Sequence, residues 1–266
     1  MLSADSFFDT SSFSHYTLFQ TSRLAWDALK NLKSYMDAQD YPTLDASLIQ
    51  KGVPLQQPVV IADGVLLEGS MTIIEYGDAT KGKLKVFKNG LPLKGASVIM
   101  AGAVLLGDKI SIGEGVLVEA GALINSPAII GDLNEIRQGA YMRGYCLTGK
   151  GCVIGHVTEV KHTLFLDGAK AGHFAYLGDS IIGNQVNLGA GTKLANLRFT
   201  EGEVPVKTPE GRINTGLRKL GAILGDHVQT GCNSVTNPGS LLGKRSIVMP
   251  NTTVPSGYHA PSSLIK

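Results

Sequence analysis

The sequence predicts an all-β protein, built as a parallel β-helix of six-residue repeats with an α-helix near its N-terminus. An aliphatic residue recurs at every sixth position over long stretches of the chain. Such a hexapeptide period is typical of parallel β-helices, in which three short strands make one triangular coil. Glycine supplies 33 of the 266 residues, far above the usual ~7% and without the three-residue period of collagen. Residues 23–38 differ, because their apolar residues are spaced three or four apart and predict an amphipathic helix of about four turns.

The composition narrows the class of function. Apolar residues make up 43% of the chain, and the formal charge of +2 gives no reason to expect nucleic acid or an anionic membrane as a partner. Three cysteines, none in a CxxC pair, form neither a complete disulfide framework nor a zinc site, so we expect a reducing, cytoplasmic compartment. The first residues lack the pattern of a signal peptide, and no apolar run approaches the roughly 20 residues of a membrane span.

Residues 1–58 are interpreted as an N-terminal arm, a helix and a linker. Residues 1–22 are polar and serine-rich with scattered aromatic side chains, and we expect an arm that is poorly ordered or docked on a partner. The helix of residues 23–38 is expected to pack over one end of the main body. Residues 40–58 contain three prolines and are interpreted as the linker.

The β-helix is predicted over residues 59–258, followed by a tail at residues 259–266. Its frame begins at Ile61, Leu67 and Ile73, and residues 78–98 interrupt it. In that excursion Asn89-Gly90 lies between apolar flanks, which predicts a two-residue hairpin. The frame then runs without a slip over residues 112–172, resumes at residue 182 after a four-residue stutter, stops for a long loop at residues 197–222, and returns over residues 224–254.

The cysteines occupy two kinds of position in the repeat. Cys146 and Cys152 fall where the pattern wants a small residue at a corner of the coil, so we expect buried structural thiols. Cys232 is off that position and is free to be exposed.

Two cations break the pattern at a position that usually carries a small residue. Arg143 and Lys161 are eighteen residues apart, which is three repeats, so they should stack on successive coils at a spacing of about 4.8 Å. Two like charges that close repel unless an anion or a carboxylate lies between them, and a phosphate suits an arginine that can bind it through two hydrogen bonds. Alternatively, both side chains extend into solvent or pair with Glu159 or Glu135.

His173 is the candidate base, because it falls at the stutter, where a regular coil must open, and Tyr176 and Asn187 follow it closely. The glycines of residues 189–192, Gly-Ala-Gly-Thr, either expose backbone N–H groups or simply form a tight corner. The long loop 197–222 carries a local excess of two positive charges. It is expected either to serve function directly or to reach over a neighbouring subunit.

The segments EVKHTLFLDGAKAGHFAYLGDSIIGNQVNLGAGTKLANLRF and TGLRKLGAILGDHVQTGCNSVTNPGSLLG carry a resemblance to a known family. They resemble the C-terminal acetyltransferase domain of bifunctional N-acetylglucosamine-1-phosphate uridyltransferase/glucosamine-1-phosphate N-acetyltransferase, and most of all archaeal sugar-1-phosphate nucleotidyltransferases and their bacterial relatives. The resemblance covers about residues 20–262 and is strongest over residues 130–243. It implies a trimeric left-handed β-helix with active sites between subunits, which acetylates the amine of glucosamine 1-phosphate from acetyl-CoA, the co-substrate, and needs no metal.

The resemblance also implies roles for individual residues. His173 matches the general base and Glu159 the carboxylate that supports it. The residues that match sugar-phosphate ligands or further substrate contacts are Arg143, Lys161, Tyr176, Asn187 and Asn196. Ala190 and Cys232 lie where the family contacts acetyl-CoA.

The sequence also departs from that family. The first 60 residues contain no glycine-rich nucleotide loop. We therefore expect this chain to lack the family's nucleotidyltransferase domain and its pyrophosphorylase activity. No basic C-terminal contact to CoA is identifiable. We therefore expect an N-acetyltransferase for an amino-sugar 1-phosphate in UDP-N-acetylglucosamine precursor synthesis. The alternatives are a non-catalytic, sugar-phosphate-binding trimeric scaffold, docked through its N-terminal helix on a separate nucleotidyltransferase, and an O-acetyltransferase.

Overall fold

The computed structural model describes residues 2–43 and 45–266. Over these residues, short strands stack in register along one axis and form three long sheets. The chain passes from one sheet to the next to complete each coil. Sheet I has eleven strands, nine of them parallel, while sheets II and III have eight parallel strands each within the described ranges. The prediction of an all-β parallel β-helix is therefore confirmed.

The strands of the three long sheets, in spatial order along the axis, have the following bounds. Sheet I comprises Val65–Glu68, Val59–Ala62, Ser97–Ile99, Leu117–Val118, Glu135–Ile136, Val153–His156, Lys170–His173, Asn187–Leu188, Gln229–Thr230, Ile247–Val248 and Leu264–Ile265. Sheet II comprises Val104–Leu106, Leu123–Asn125, Tyr141–Met142, Glu159–Lys161, Tyr176–Gly178, Lys193–Leu194, Val235–Thr236 and Thr253–Val254. Sheet III comprises Ile110–Ile112, Ala128–Ile130, Cys146–Thr148, Thr163–Phe165, Ile181–Ile182, Ala222–Leu224, Ser240–Leu242 and Gly257–His259.

Smaller elements decorate this body. Ile73–Glu75, Lys85–Lys88 and Leu91–Pro92 form an antiparallel sheet, and Pro205–Thr208 pairs with Gly211–Asn214 as a hairpin within the long loop. The α-helices are α1 (Ala4–Phe7), α2 (Thr17–Gln20) and α3 (Asp27–Asp37), and Gly69–Met71 and Ala79–Lys81 are 3₁₀-helices. None of the helices in the described ranges is long and apolar enough to cross a membrane.

The hexad aliphatics fill the interior of the coils. Ile124, Ile136, Val160 and Leu194 are fully buried in one continuous cluster that runs along the axis. Cys146 and Cys152 lie in the same cluster, and burial raises the pKa of each thiol to about 12. Cys232 is exposed. The expectation of two buried structural thiols is confirmed.

The repeat frame slips twice, contrary to the uninterrupted run predicted for residues 112–172. Met142 pairs with Val160, eighteen residues on, but Thr148 pairs with Phe165 and Phe165 with Ile182, both seventeen residues on. The predicted inward positions Leu166 and Gly172 are therefore wrong, and Phe165 and Ala171 occupy them.

The physical reason lies in the corners between sheets II and III. The corner after Met142 contains two left-handed residues, Gly144 at φ 96° and Tyr145 at φ 50°. The corners after Val160 and Leu177 contain one each, His162 at φ 46° and Asp179 at φ 48°. Each of these corners is shorter by one residue, so the apparent four-residue stutter is two separate shortenings.

The start and the end of the β-helix also differ from prediction. Ile61 pairs antiparallel with Leu66 across a turn at Asp63-Gly64, where both residues have positive φ (49° and 73°), so these residues form a hairpin. Ile73 belongs to the small antiparallel sheet, and parallel coiling begins only at Ser97–Ile99. The hairpin predicted at Asn89-Gly90 is confirmed. The predicted tail includes strand Leu264–Ile265, which extends sheet I.

The N-terminal segment packs on the outer face of sheet III, so the expectation of a poorly ordered or partner-docked arm is wrong for the described residues. Side chains including Phe7, Phe13 and Trp26 are buried in a second cluster, the outer core. Its other wall is a column of apolar side chains on the outside of sheet III: Ile129, Leu147, Leu164, Ile181, Ile223 and Leu241. An apolar column of this kind must be covered by another layer of the fold. α3 supplies part of that cover, so it lies along a side of the β-helix and not, as the sequence had predicted, over one end.

Candidate functional site

The candidate site lies on the outer face of sheet II, around the strands Tyr141–Met142, Glu159–Lys161 and Tyr176–Gly178. Met142 pairs with Val160, and the backbone N–H of Arg143 donates to the carbonyl of Val160 at 2.8 Å. The structure therefore places Arg143 and Lys161 on successive coils of one face, as their spacing predicts. They stack because the coil between them keeps its full eighteen residues.

Each of the two cations is paired with its own carboxylate. Nη1 of Arg143 lies 2.7 Å from Oε1 of Glu159, and this hydrogen bond raises the pKa of the guanidinium. Nζ of Lys161 lies 3.2 Å from Oδ2 of Asp179. The two pairs explain how like charges tolerate their close spacing, and pairing with Glu159 is one of the alternatives raised by the sequence. They also place Glu159 against Arg143, so its support of His173 stays a prediction.

Asp179 is the centre of a buried polar cluster. Its side chain is only 9% exposed and binds Nδ1 of His162 at 2.9 Å and Nδ2 of Asn196 at 2.5 Å, in addition to Lys161. Burial alone would raise the pKa of this carboxyl. The hydrogen bond with His162, the charge of Lys161 and the hydrogen bond from Asn196 together outweigh burial, so the pKa is lowered. Asp179 is therefore a fixed negative charge that holds Lys161.

Tyr176 and Asn196 extend this cluster by one coil. Tyr176 pairs in register with Glu159, and its hydroxyl donates to Oδ1 of Asn196 at 3.5 Å. Burial, followed by the charges of Glu159 and Asp179, raises the pKa of the phenol. Tyr176 consequently stays protonated and keeps its hydrogen bond to Asn196 at the edge of this face.

His173 ends the strand Lys170–His173 of sheet I and is exposed. Its ring stacks on that of His156, one coil before it, with centroids 5.6 Å apart and an angle of 26° between the planes. The left-handed residue Phe174 (φ 42°) then turns the chain toward Tyr176. One corner therefore holds His173 on one side and Tyr176 on the other, next to the cation face.

The remaining predicted residues lie on the sheet I side of that edge. Asn187 begins the next strand of sheet I and is exposed. The N–H of Gly191 donates to the carbonyl of His173 at 3.0 Å, so residues 189–192 form a corner of the coil next to His173. Ala190 accepts a hydrogen bond from Asn233 at 2.8 Å, which places Cys232 on the adjacent coil of the same edge.

Sequence reasoning missed three polar residues, His156, His162 and Asp179. His156 pairs with His173, and His162 bonds Asp179, in each case across seventeen residues. Seventeen is the length of the shortened coil. The signal that sequence reasoning missed was therefore the shortening of the coil by one residue. When Phe165 and Ile182 are taken as the inward residues, the two members of each pair fall on adjacent coils.

The parallel β-helix of six-residue repeats places the chain in the class of hexapeptide-repeat proteins, and it carries a cation pair on one face and a histidine at the edge of that face. Residues 124–262 match the family described as the GMPPB C-terminal domain, and because this match covers more than half of the chain, the chain belongs to that family.

Three relatives illustrate the similarity. A bifunctional sugar-1-phosphate nucleotidylyltransferase/acetyltransferase of Sulfurisphaera tokodaii is 40% identical over 146 residues, covering 55% of this chain and 36% of that protein. The bifunctional protein GlmU of Methanocaldococcus jannaschii is 39% identical over 104 residues, 39% of this chain and 25% of that protein. An uncharacterized acetyltransferase, YaiX, of Escherichia coli O6:K15:H31 is 34% identical over 158 residues, 57% of this chain and 68% of that protein. The chain thus spans about a third or less of the two bifunctional relatives.

Proposed function

We propose that this chain transfers an acetyl group from acetyl-CoA to the amine of an amino-sugar 1-phosphate, with glucosamine 1-phosphate as the first candidate, in the supply of UDP-N-acetylglucosamine. The observation that carries the proposal is the stack of Arg143 and Lys161 on one face, one corner away from His173. The names of two relatives, which specify acetyl transfer and sugar-1-phosphate chemistry, support an acetyl donor and a sugar 1-phosphate acceptor.

The charges of the face favour Arg143 as the group that first binds the phosphate. The side chains of Arg143 and Glu159 are 42% and 37% exposed, and such an exposed pair contributes only about 0–1 kcal/mol. An incoming phosphate can therefore displace Glu159 and take the guanidinium through two hydrogen bonds. Lys161 is less exposed and is held by Asp179, so it supplies a second, fixed positive charge.

Displacement of Glu159 links phosphate binding to the base. Once released from Arg143, Glu159 becomes available to His173, the role that the family resemblance implies for it. His173 then removes a proton from the amine as the nitrogen attacks the thioester carbon. The C–N bond forms, the C–S bond breaks, CoA leaves as the thiolate, and the proton passes to its sulfur. Backbone N–H groups stabilise the tetrahedral oxyanion.

The test is release of the CoA thiol from acetyl-CoA by the full chain. The acceptors are glucosamine 1-phosphate, galactosamine 1-phosphate, glucose 1-phosphate and none. Release that depends on an amino sugar supports N-acetylation and identifies the epimer, whereas release with glucose 1-phosphate indicates O-acetylation. No acceptor-dependent release from folded protein would contradict the proposal.

The matched variants are His173→Asn and His227→Asn. His227 is also exposed, and it lies at a left-handed corner that asparagine tolerates. We expect His173→Asn to lower kcat/KM by about 10²–10⁴-fold and His227→Asn to leave it unchanged. Equal activities would remove His173 from the mechanism.

We also propose a homotrimer in the cytoplasm, where the thiols stay reduced, with a separate nucleotidyltransferase consuming the product. Sedimentation of the purified chain tests the assembly. The alternative of a non-catalytic scaffold needs α3 as its docking surface. The apolar side chains Ala28, Leu29, Leu32 and Met36 of α3 are already buried within the chain, which favours the enzyme.

A further inference from the structure

A second histidine lies against the candidate base. His156 ends the strand Val153–His156 of sheet I, His173 ends the strand Lys170–His173, and the two residues pair in register on adjacent coils. Their rings are nearly parallel, with centroids 5.6 Å apart and an angle of 26° between the planes. This separation is within the range of about 4.5–7 Å in which offset aromatic pairs attract each other. One side of the His173 ring is therefore supported by His156.

Phe174 is the second ring neighbour of His173. The centroids of these two rings are 5.8 Å apart, and their planes are inclined by 48°. The backbone around the pair is also fixed, because the N–H of Phe174 donates to the carbonyl of His156 at 2.8 Å and the N–H of Gly191 donates to the carbonyl of His173 at 3.0 Å. The main chain of His173 is thus held by both adjacent coils, and its ring has aromatic neighbours on the same corner.

The register of the two histidines depends on two features of the sequence. The coil between them has seventeen residues, because its corner at His162 is one residue shorter, and a coil of eighteen residues would place His156 opposite Phe174. Each histidine also follows a glycine. A Cβ on Gly155 would overlap the backbone carbonyl of Gly172, so the two strands reach this separation because position 155 is a glycine.

Stacking, and not hydrogen bonding, orients the ring of His173. Elsewhere in the described ranges the rings of His15, His162 and His259 are oriented by hydrogen bonds. Neither ring of the stacked pair makes a hydrogen bond to another described residue. A ring that is held by its face keeps both nitrogen atoms at its edge free, one to take a proton from an amine and the other to be supported by a carboxylate.

We propose that His156 is a positioning residue for the acetyl transfer, and that its ring holds the imidazole of His173 in the orientation that receives the proton. The inference rests on the proposed role of His173 as the base. Before a phosphate binds, Glu159 is paired with Arg143, so the stack keeps His173 oriented while its carboxylate partner is engaged elsewhere. A base that is already oriented avoids part of the entropic cost of reaching the reactive geometry.

The test compares three substitutions of His156 in the full chain, with release of the CoA thiol as the assay. His156→Ala removes the ring, His156→Leu keeps an apolar side chain of similar size without a ring, and His156→Phe keeps a flat ring without nitrogen atoms. The control is His259→Ala, because His259 is likewise a half-buried histidine at the end of a strand, but on sheet III. Thermal unfolding verifies that each variant is folded.

We expect His156→Ala and His156→Leu to lower kcat by about ten-fold, the upper end of what an aromatic pair contributes. KM for both substrates should not change, because His156 contacts neither of them in this arrangement. His156→Phe should recover most of kcat, and His259→Ala should leave it unchanged. In the background of His173→Asn, His156→Ala should lower the residual rate no further.

A second readout needs no turnover. The ring current of a stacked neighbour displaces the NMR signal of the Cε1 proton of His173, which is assigned by its loss in His173→Asn. This signal should move in His156→Ala and His156→Leu and stay closer to its native position in His156→Phe. An unmoved signal in all three variants would show that the rings are not stacked in solution and would overturn the inference.

The kinetic outcomes separate this inference from the proposed function. Unchanged kcat in His156→Ala and His156→Leu, from a chain whose acetyl transfer requires His173, would overturn the inference and leave the acetyltransferase intact. If His156→Phe were as slow as His156→Ala, the nitrogen atoms of His156 would be needed and stacking would be rejected. A higher KM at unchanged kcat would make His156 a substrate contact and would also overturn the inference. No acceptor-dependent release from the native chain would reject the proposed function, and this inference with it.

Discussion

Replacement of Asp179 by asparagine tests whether the buried cluster holds Lys161 in place. Asparagine has nearly the same shape, so packing is retained while the negative charge is lost. In the native protein this carboxylate accepts hydrogen bonds from His162, Lys161 and Asn196 and is 9% exposed. The variant leaves Lys161 without its charged partner. It also brings the NH₂ group of the new amide against one of the surrounding N–H donors, with which it cannot form a hydrogen bond.

The expected loss in the free energy of unfolding is about 2–3 kcal/mol. Removing one partner of a buried ion pair typically costs about 3–5 kcal/mol. Lys161, however, is 28% exposed, so without its partner it can recover part of its hydration. The expected loss in the free energy of unfolding is therefore close to that of a hydrogen bond to a charged group, about 1.5–3 kcal/mol. Because the folded pKa of Asp179 lies below its ordinary 3.8, this stability is present above that pH and is lost as the pH falls through the folded pKa.

The assay is urea unfolding at pH 7 of the native protein, Asp179→Asn, Lys161→Met and the double variant. If the unpaired charge of Lys161 causes the loss, Asp179→Asn should cost less by about 1 kcal/mol or more in the Lys161→Met background. A loss below about 0.5 kcal/mol at pH 7, or strictly additive effects of the two substitutions, would refute the reasoning. The reasoning would also be refuted if the native protein and Asp179→Asn differed in free energy of unfolding by the same amount at acidic pH as at pH 7.

Three further predictions concern the body of the β-helix. Gly155→Ala should destabilise by about 3 kcal/mol, because a Cβ there would overlap the backbone carbonyl of Gly172, whereas Gly172→Ala meets nothing within 4 Å and serves as the control in thermal unfolding. Leu32→Ala in α3 should cost about 2–5 kcal/mol, and the exposed Ser34→Ala less than about 0.5 kcal/mol, in urea titrations; equal small losses would contradict the outer core. An aromatic disulfide reagent should label Cys232 alone in the native protein and all three cysteines in urea, and acetyl-CoA should slow the native reaction if Cys232 contacts it.

The interior of the fold was predictable because each inward aliphatic residue is dictated locally by the six-residue period. The outer core was not, although its signal is present in the sequence. Ile129 and Leu147 are outward-facing apolar residues of sheet III, and an exposed β-helix face should not carry such a column. The aromatic residues of the first 22 positions supply its cover, but their spacing has no period that relates them to the coils.

The candidate site was predictable to the extent that its residues follow the eighteen-residue coil. Arg143 and Lys161 stack as expected because no shortened corner separates them. Asp179 was missed because it lies beyond the first slip, where an unbroken frame assigns it to the wrong position. Ion pairs such as Arg143–Glu159 depend on side-chain reach across coils, which no linear spacing specifies.

The two slips and the candidate site coincide, and the shortened corners give a physical reason. A corner of full length carries one more residue between sheets II and III, as the corner after Met142 does. When that residue is lost after Val160, and again after Leu177, His162 and Asp179 become the single left-handed residues of adjacent corners, directly above one another. Their side chains are thereby brought within hydrogen-bond distance, and Asp179 also reaches back to the lysine of the cation stack. A perfect repeat would separate these groups, so the departure from the repeat is what concentrates charge on this face.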